Sequence, residues 1–475
     1  MEGRRNSSFE DCDVLYYEAI VTRVHRMPNP GKSSSTVGGE EDAVTHYDLH
    51  FEDDCPQTMI PAAWVIPNTR KTIAERGHAR VIFGHADTHE RWREITSWDE
   101  EDHDASKNKT ALPSTTPPRE ILLMVFTECP TLYQSAVALK SSSLGSSSPR
   151  TELILDHTLL PFEQHQCFSL IASLAGGRQR QQHLVRRFTK DGRTLTTDDD
   201  ATQRQQQPPL SFAVLGGGGC ALPTALRQLV QEAGDALPVI EIDVVESDPD
   251  VTSMAREHFG ATDSTRFRLR EGDAAAFLRD TADGSFDAVI IDVASTVADA
   301  SADQDEDGVV LPPEEFVSGA FLNEQLCRCL ADDGGVCVVN VIGGRVALRR
   351  VAERFRSCFP SPGGAAVLCT DPNYLFWGFK GYGGWSGGGG NDVEVDGVGG
   401  AAADEGGGGG GDGGGAPAPS EVLAAAAAFP GLEALCPFAF SLVRNTRRHL
   451  DNQDLMGWVT VDEFVAMLDN PAVIV

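Results

Sequence analysis

The stretch FAVLGGGGCALPTAL, residues 212–226, runs from a strand-like apolar segment through four glycines into a helical pattern. The segment 211–215 is short and apolar, as expected of a buried strand. The helical pattern that follows the glycines places four apolar side chains on one face, at Leu222, Leu226, Leu229 and Val230. A glycine turn between a strand and a helix lets backbone amides meet a ligand at close range. The stretch therefore predicts the first strand–turn–helix unit of an α/β fold.

Strand and helix patterns continue to alternate after this unit. Four further strand patterns are separated by helical ones: IEIDVVE (240–246), RFRLREGD (266–273), FDAVIID (286–292) and GVCVVNVI (335–342). Strands separated by helices of this length predict a parallel, doubly wound sheet. A ligand is then expected at the carboxyl ends of the strands.

Composition narrows the class of protein. A chain of 475 residues predicts two or three domains, and a formal net charge of −31 disfavours nucleic acid, whose phosphates need Lys and Arg. The first residues contain no apolar run typical of a secretory signal, and no stretch has the ~20 apolar residues of a membrane span. Eleven scattered cysteines without a C-x-x-C pair favour a reduced, cytoplasmic protein without a metal site.

The pattern changes along the chain. Residues 1–95 predict a small β-rich module that faintly resembles a Tudor-like barrel, and a plain small barrel or hairpin pair is the alternative. Residues 96–118 are acidic and then rich in Ser, Thr and Pro, which is typical of a linker. A second domain is predicted over 119–475, with low-complexity insertions at about 178–209 and 383–419.

Polar residues follow the predicted strands where a ligand is expected. The turn GGGGCA, residues 216–221, fits the pattern G-x-G-x-x-G/A. Glu246 ends the second strand, where an acid can accept the hydroxyls of a ribose, although a solvated carboxylate is an equal alternative. Asp273 and Ala274 end the third strand, where an adenine would be bound. Asp273 can equally be the N-cap of the next helix, and both roles can coexist.

Asp292 is an isolated carboxylate after four apolar residues, at the end of the fourth strand. Such a group at the carboxyl edge of a sheet is more often functional than structural. The whole series fits a nucleoside ligand without requiring a pyrophosphate. It therefore favours S-adenosylmethionine, or a related molecule, over NAD.

The order of these motifs resembles the spermidine-synthase-like class of Rossmann methyltransferases. Within that class, the motifs AVLGGGGCALPTAL, VVESDPD, REGDAAAFL, FDAVIIDVAS, LPPEEFVSGAFL and GVCVVNVI are most similar to the carboxy-terminal half of the methyltransferases that modify lysine and the N-terminus of elongation factor 1-alpha. The upstream YQSAVAL and LDHTLLPFEQH and the closing DEFVAMLDNPAVIV match as well. The resemblance covers about residues 119–475, without the two insertions.

The resemblance implies a methyltransferase dependent on S-adenosylmethionine and assigns a role to each motif. The cofactor would be held by Gly216, Gly218 and Gly219 around its methionine part, by Glu246 at the ribose, and by Asp273 with Ala274 at the adenine. Asp292 and Asn340 would face the reacting centre as catalytic residues. Cys220 stands where the family has its last glycine.

Other departures from the family bear on the substrate. The lysine methyltransferase half is absent, Ser295 replaces a second aspartate of true spermidine synthases, and DHTLLPFEQHQCF (156–168) lacks their polyamine-binding tyrosine. A protein substrate is therefore expected, with the N-terminus of elongation factor 1-alpha as the leading candidate. The alternatives are a spermidine synthase-like aminopropyltransferase and a non-catalytic nucleoside-binding protein. His157 is either a helper in deprotonating the amine or a packing histidine.

Overall fold

The computed structural model describes fifteen parts of the chain, which are residues 19–27, 43–51, 56–61, 71–86, 119–126, 129–140, 154–176, 208–234, 237–294, 308–360, 364–370, 373–381, 417–444, 446 and 456–469. The chain divides into two compact units, Met1–Thr69 and Arg70–Val475.

The first unit contains one antiparallel sheet of three strands. The strands are β1 (Ala19–Met27), β2 (Ala43–Phe51) and β3 (Pro56–Pro61), in the order β1-β2-β3. Much of the predicted module 1–95, including residues 62–70 and 87–95, lies outside the described residues. Three antiparallel strands are compatible with both a barrel and a hairpin pair, so the Tudor-like resemblance stays a prediction.

The second unit begins with a five-stranded antiparallel sheet in sequential order. Its strands are β4 (Lys71–Arg76), β5 (Ala79–Ala86), β6 (Arg119–Phe126), β7 (Cys129–Leu139) and β8 (Leu155–Asp156). The strand β5 pairs with β6 along its whole length, from Ala79 opposite Phe126 to Ala86 opposite Arg119. The boundary expected around 96–118 therefore falls between two hydrogen-bonded strands, and the structure divides the chain at residue 69 instead. Closing a long loop costs only slightly more entropy than closing a short one, so two strands can pair across a long polar connection. The composition of such a connection therefore does not mark a domain boundary.

The remaining elements form the large α/β part of this unit. In chain order they are α1 (Glu163–Ser169), α2 (Ile171–Leu174), β9 (Leu210–Leu215), α3 (Ala221–Ala233), β10 (Ile240–Glu246), α4 (Pro249–His258), β11 (Phe267–Glu271), α5 (Ala274–Asp280), β12 (Ala288–Ile291), β13 (Val309–Leu311), a 3-10 turn (Glu314–Val317), a π-helical turn (Phe321–Leu326), α6 (Cys327–Cys329), β14 (Gly335–Gly343), α7 (Arg345–Cys358), β15 (Ala365–Thr370), β16 (Asn373–Lys380), α8 (Pro419–Ala427), α9 (Leu432–Leu435), α10 (Pro437–Arg444), β17 (Met456–Thr460) and α11 (Val461–Leu468).

The large sheet has the strand order β11-β10-β9-β12-β14-β16-β15-β17, and β13 pairs with β14. The first five strands of this order are mutually parallel, whereas β16 is antiparallel to both of its neighbours. The chain winds from β9 to one side of the sheet through β10 and β11, and then to the other side through β12 and β14. The predicted Rossmann-like, doubly wound fold is therefore confirmed.

Alternation along β9 explains why helices cover both faces of the sheet. Phe212 and Val214 belong to one apolar cluster, with Leu226 of α3 and Phe438 of α10. Leu215, with its neighbour at 213, belongs to the other cluster, which includes α5 and α7. A parallel strand that is apolar on both faces must be covered on both, and this burial stabilises the sheet that carries the site.

The chain beyond the glycine-rich insertion returns to the same sheet. The last strand, β17, extends the edge beside β15, and α11 follows it directly. Thr460 caps α11 by accepting the amide hydrogen of Glu463 at 3.2 Å, and the Glu463 carboxylate accepts the Thr460 amide at 2.8 Å. These two reciprocal hydrogen bonds form a capping box at the start of α11. Most of the two insertions, and the final residues PAVIV, lie outside the described residues.

Candidate functional site

The carboxyl ends of the parallel strands bring the predicted site residues to one edge of the sheet. The strand β9 lies between β10 and β12, so the winding of the chain reverses between β9 and β12. A crevice at such a switch point is where doubly wound sheets bind ligands. The glycine turn follows β9 and Asp292 follows β12, so both lie at this switch point, and the space between them is called the crevice below.

The glycine turn is packed closely against other parts of the protein. Gly216 has φ +86°, and an added Cβ would lie 2.2 Å from the carbonyl oxygen of Asp292. At Gly219 an added Cβ would lie 2.8 Å from Cβ of Ser135 and 3.0 Å from the Phe259 ring. Close packing against neighbouring parts of the protein is therefore sufficient to explain why these two positions are glycine. A ligand is not needed to explain those glycines.

The amides of the turn donate mostly to acceptors within the protein. The Gly218 amide donates to Oε2 of Glu246 at 2.9 Å, and the Gly219 amide donates to Oγ of Ser135 at 3.0 Å. The Cys220 amide donates to the Gly217 carbonyl at 2.7 Å. The sequence had suggested that these amides face a ligand. The structure instead gives them partners, so the turn offers a ligand a fixed shape more than free donors.

Cys220 closes the turn in a left-handed backbone conformation. Its φ is +57°, and it is the only residue other than glycine with a positive φ in the described part of the chain. A side chain in this conformation costs roughly 1–2 kcal/mol relative to glycine. The thiol is fully buried, and this burial raises its pKa. The departure from the family's glycine is thus accommodated with backbone strain, and burial disfavours the reactive thiolate form of Cys220.

Glu246 links the turn to the start of α4. Its Oε2 accepts the Gly218 amide, and its Oε1 accepts the Asp248 amide at 3.1 Å. Each carboxylate oxygen has acceptor capacity beyond one hydrogen bond. Glu246 is half-buried, so its remaining acceptor capacity is open to a ligand, and its role at a ribose stays a prediction.

Asp273 is the N-cap of α5. Its Oδ1 accepts the amide hydrogen of Ala276 at 2.6 Å, and its side chain is exposed. Ala274 is buried at the first position of the helix. Asp273 therefore has the capping role that was the alternative to adenine binding. Its exposed carboxylate still has acceptor capacity for a ligand.

Asp292 is held by two side chains from different elements. Nδ2 of Asn340 donates to Oδ1 of Asp292 at 2.9 Å, which follows from the parallel pairing of Ile291 with Val339. Nε2 of His165 lies 3.4 Å from Oδ2 of Asp292. Oδ1 of Asn340 is buried and has no hydrogen-bond partner in the described part of the chain. The pair Asp292–Asn340 was predicted from the sequence, whereas His165 was missed.

His157 lies elsewhere. Its Nε2 is 3.2 Å from the position of a Cβ on Gly260, behind the carboxyl end of α4. Burial, and then the charge of Arg227, lower the pKa of His157 to about 4. Of the two roles considered for His157, the structure therefore favours a packing histidine over a helper in deprotonation. The nearby His165, within the same quoted stretch, is the histidine that contacts Asp292.

Neither a metal-binding cluster nor a membrane-spanning helix occurs among the described residues. They contain no group of three or more His, Cys, Asp or Glu side chains suited to a metal ion. None of the helices in that part of the chain combines the length and the apolar character needed to cross a bilayer.

Comparison with known proteins gives distant structural similarities. No protein-family model matches the sequence, and no curated protein matches it. A probable spermidine synthase from Corynebacterium glutamicum is 17% identical over 65% of this chain and 79% of that chain, with a TM-score of 0.37. Human methyltransferase-like protein 13 in complex with SAH is 22% identical over 46% of this chain and 82% of that chain, with a TM-score of 0.34. Similarities this distant carry no information about substrate.

Proposed function

We propose that the chain is an S-adenosylmethionine-dependent methyltransferase that acts on a protein amine. The observation that carries this proposal is the contact between the glycine turn and the Asp292 backbone, where Gly216 leaves no room for a Cβ. Because of this contact, a nucleoside held beside Glu246 and an amine held beside Asp292 would meet in one crevice.

The residues of the crevice fit the cofactor. Glu246 would bind the ribose, Asp273 with Ala274 the adenine, and the turn at 216–219 the methionine part. When bound, S-adenosylmethionine supplies an electrophilic methyl group carried by a sulfonium. The chain itself then has to hold an acceptor atom in line with that group and exclude water.

The polar atoms around Asp292 suit a primary amine. The carboxylate of Asp292 accepts hydrogen bonds, and so does the buried, unpartnered Oδ1 of Asn340. Two acceptors can hold the two N–H groups of a neutral amine and leave its lone pair free. A carboxylate also stabilises the positive charge that develops on nitrogen as it gains a methyl group.

An α-amine at a protein N-terminus is the preferred acceptor class. Its reference pKa of about 7.7–8.0 leaves part of it neutral at pH 7, whereas lysine has a reference pKa of about 10.4. A site with one carboxylate can therefore use an α-amine without a strong base. The sequence resemblance supports elongation factor 1-alpha as the candidate protein. Ser295, whose identity weakens the aminopropyltransferase alternative, lies outside the described residues.

Transfer of label tests the proposal. The purified chain is incubated with tritiated S-adenosylmethionine and elongation factor 1-alpha, either free or blocked at its N-terminus. We expect label on the free protein only. Equal label on the blocked protein would exclude the α-amine, and spermidine formed from putrescine and decarboxylated cofactor would establish the aminopropyltransferase instead.

One substitution tests the role of the carboxylate in the same assay. Asp292→Asn places an N–H beside the Asn340 amide or the substrate and removes the charge. It should lower kcat by about 100-fold or more. Asp280→Asn, at the exposed far end of α5, is the matched control and should retain full activity.

A further inference from the structure

His165 lies behind Asp292 and has no role in the motifs described so far. It is the third residue of α1, and its side chain is 6% exposed. Its Nε2 lies 3.4 Å from Oδ2 of Asp292, at ion-pair distance, where a small rotation of either side chain gives a hydrogen bond. The other carboxylate oxygen already accepts the Asn340 amide. One donor is therefore available for each oxygen of Asp292.

The backbone and neighbours of His165 fix its position. The next residue, Gln166, donates from Nε2 to the Leu160 carbonyl at 2.8 Å and accepts the Phe438 amide at 2.9 Å. The His165 ring packs beside the rings of Phe162 and Phe168, with centroids 5.3 and 6.3 Å away. These contacts tie the start of α1 to α10, so the imidazole is held in place by the core.

The surroundings of the ring select one tautomer. Nε2 faces a carboxylate oxygen, which only accepts hydrogen bonds. Nδ1 is buried and has no partner among the residues that the structure describes. A hydrogen on Nδ1 would leave a buried donor unsatisfied, whereas a hydrogen on Nε2 points at Asp292. The proton therefore belongs on Nε2.

We propose that His165 is a positioning residue for the transfer reaction and acts through Asp292. Nε2–H of His165 and the Asn340 amide each hold one oxygen, which fixes the plane of the carboxylate towards the amine. Each oxygen keeps acceptor capacity for a substrate N–H. The role rests on the proposed function, because an orientation of Asp292 matters only if a substrate is held there. A misplaced carboxylate loses the in-line geometry that transfer needs.

Three substitutions separate positioning from packing. The amide nitrogen of glutamine reaches about as far as Nε2, whereas asparagine reaches only as far as Nδ1, and leucine has no donor. We expect His165→Leu and His165→Asn to lower kcat by about 10- to 100-fold, as the loss of an orienting partner does at other sites. His165→Gln should restore kcat to within about 5-fold of the wild type, because it keeps a donor for Asp292. The Kd for S-adenosylmethionine should stay unchanged in all three.

Equal kcat values for the leucine and glutamine variants would overturn the proposal, provided that melting temperatures show both to be folded. A second measurement does not need turnover. Nitrogen-15 NMR of labelled histidine should place the His165 proton on Nε2 in the wild type, and Asp292→Leu should abolish that preference. A proton on Nδ1 in the wild type would also overturn the proposal. A wild type with the Nε2 tautomer but no turnover on any amine would refute the proposed function, and with it the positioning role, while the contact of His165 with Asp292 would stand.

Discussion

The two sides of the crevice differ in how their polar groups are satisfied. On the turn side, the amides of Gly218 and Gly219 and both oxygens of Glu246 have partners within the protein. On the Asp292 side, Oδ1 of Asn340 and Nδ1 of His165 are buried without partners among the described residues. Buried polar atoms usually have partners, so each unsatisfied one needs an explanation, and a bound ligand is one such explanation.

This difference assigns separate tasks to the two sides. The turn side is rigid before any ligand arrives, because its hydrogen bonds close within the fold. In the proposed reaction, the acceptor capacity on the Asp292 side would serve the substrate. Thr224, one turn into α3, also has a buried hydroxyl without a partner among the described residues. The hydrogen bonds described for the turn side therefore do not extend into the helix that follows it.

The largest effect is expected where the two sides touch. Gly216→Ala would bring a Cβ to 2.2 Å from the Asp292 carbonyl, at a φ of +86°. The backbone after β9 or β12 would have to move, so we expect a loss of unfolding free energy of about 3 kcal/mol or more. Because Asp292 would move as well, kcat should fall with stability. Denaturant titration and the transfer assay measure the two effects.

Gly234 provides the matched control. It also has a positive φ, +53°, but an added Cβ would meet nothing within 4 Å. Gly234→Ala should therefore lose only the conformational term, about 1–3 kcal/mol for its φ of +53° and ψ of −131°, and keep full kcat. If both alanine variants lost the same stability, close packing would not be the reason for Gly216.

A smaller effect separates the two roles of Asp273. Asp273→Ala removes the cap of α5 and a ligand acceptor, so stability should fall by about 1 kcal/mol and cofactor binding should weaken by about 1–3 kcal/mol. Asp273→Ser keeps a capping oxygen but is a poorer acceptor for an adenine amino group. It should restore stability and leave binding weak. Calorimetry that found wild-type affinity in both variants would remove Asp273 from the cofactor site.

The sequence correctly placed those residues of the candidate site that directly follow their own strands, whereas their role in binding stays a prediction. Spacing predicted the turn, Glu246, and the carboxylate after β12, since each follows its own strand. His165 and Ser135 could not be found this way. Each reaches the site from another element, α1 or β7, and sequence periodicity does not report how those elements dock. The contact of β5 with β6 was missed for the same reason, because the pairing spans a long polar connection.

The smallest effect concerns Cys220, where the turn departs from the family's glycine. Cys220→Gly relieves the left-handed strain and loses a buried thiol, whereas Cys220→Ala loses the thiol and keeps the strain. The glycine variant should therefore exceed the alanine variant in unfolding free energy by about 1 kcal/mol. Because the Gly218 and Gly219 amides keep their partners in both variants, neither variant should change kcat by more than about 3-fold. Denaturant titration gives the difference in stability.

A glycine variant less stable than the alanine variant would mean that the turn gains more from a Cβ at this position than it loses to strain. A large loss of kcat in both would mean that the turn side is not the passive support inferred from its hydrogen bonds.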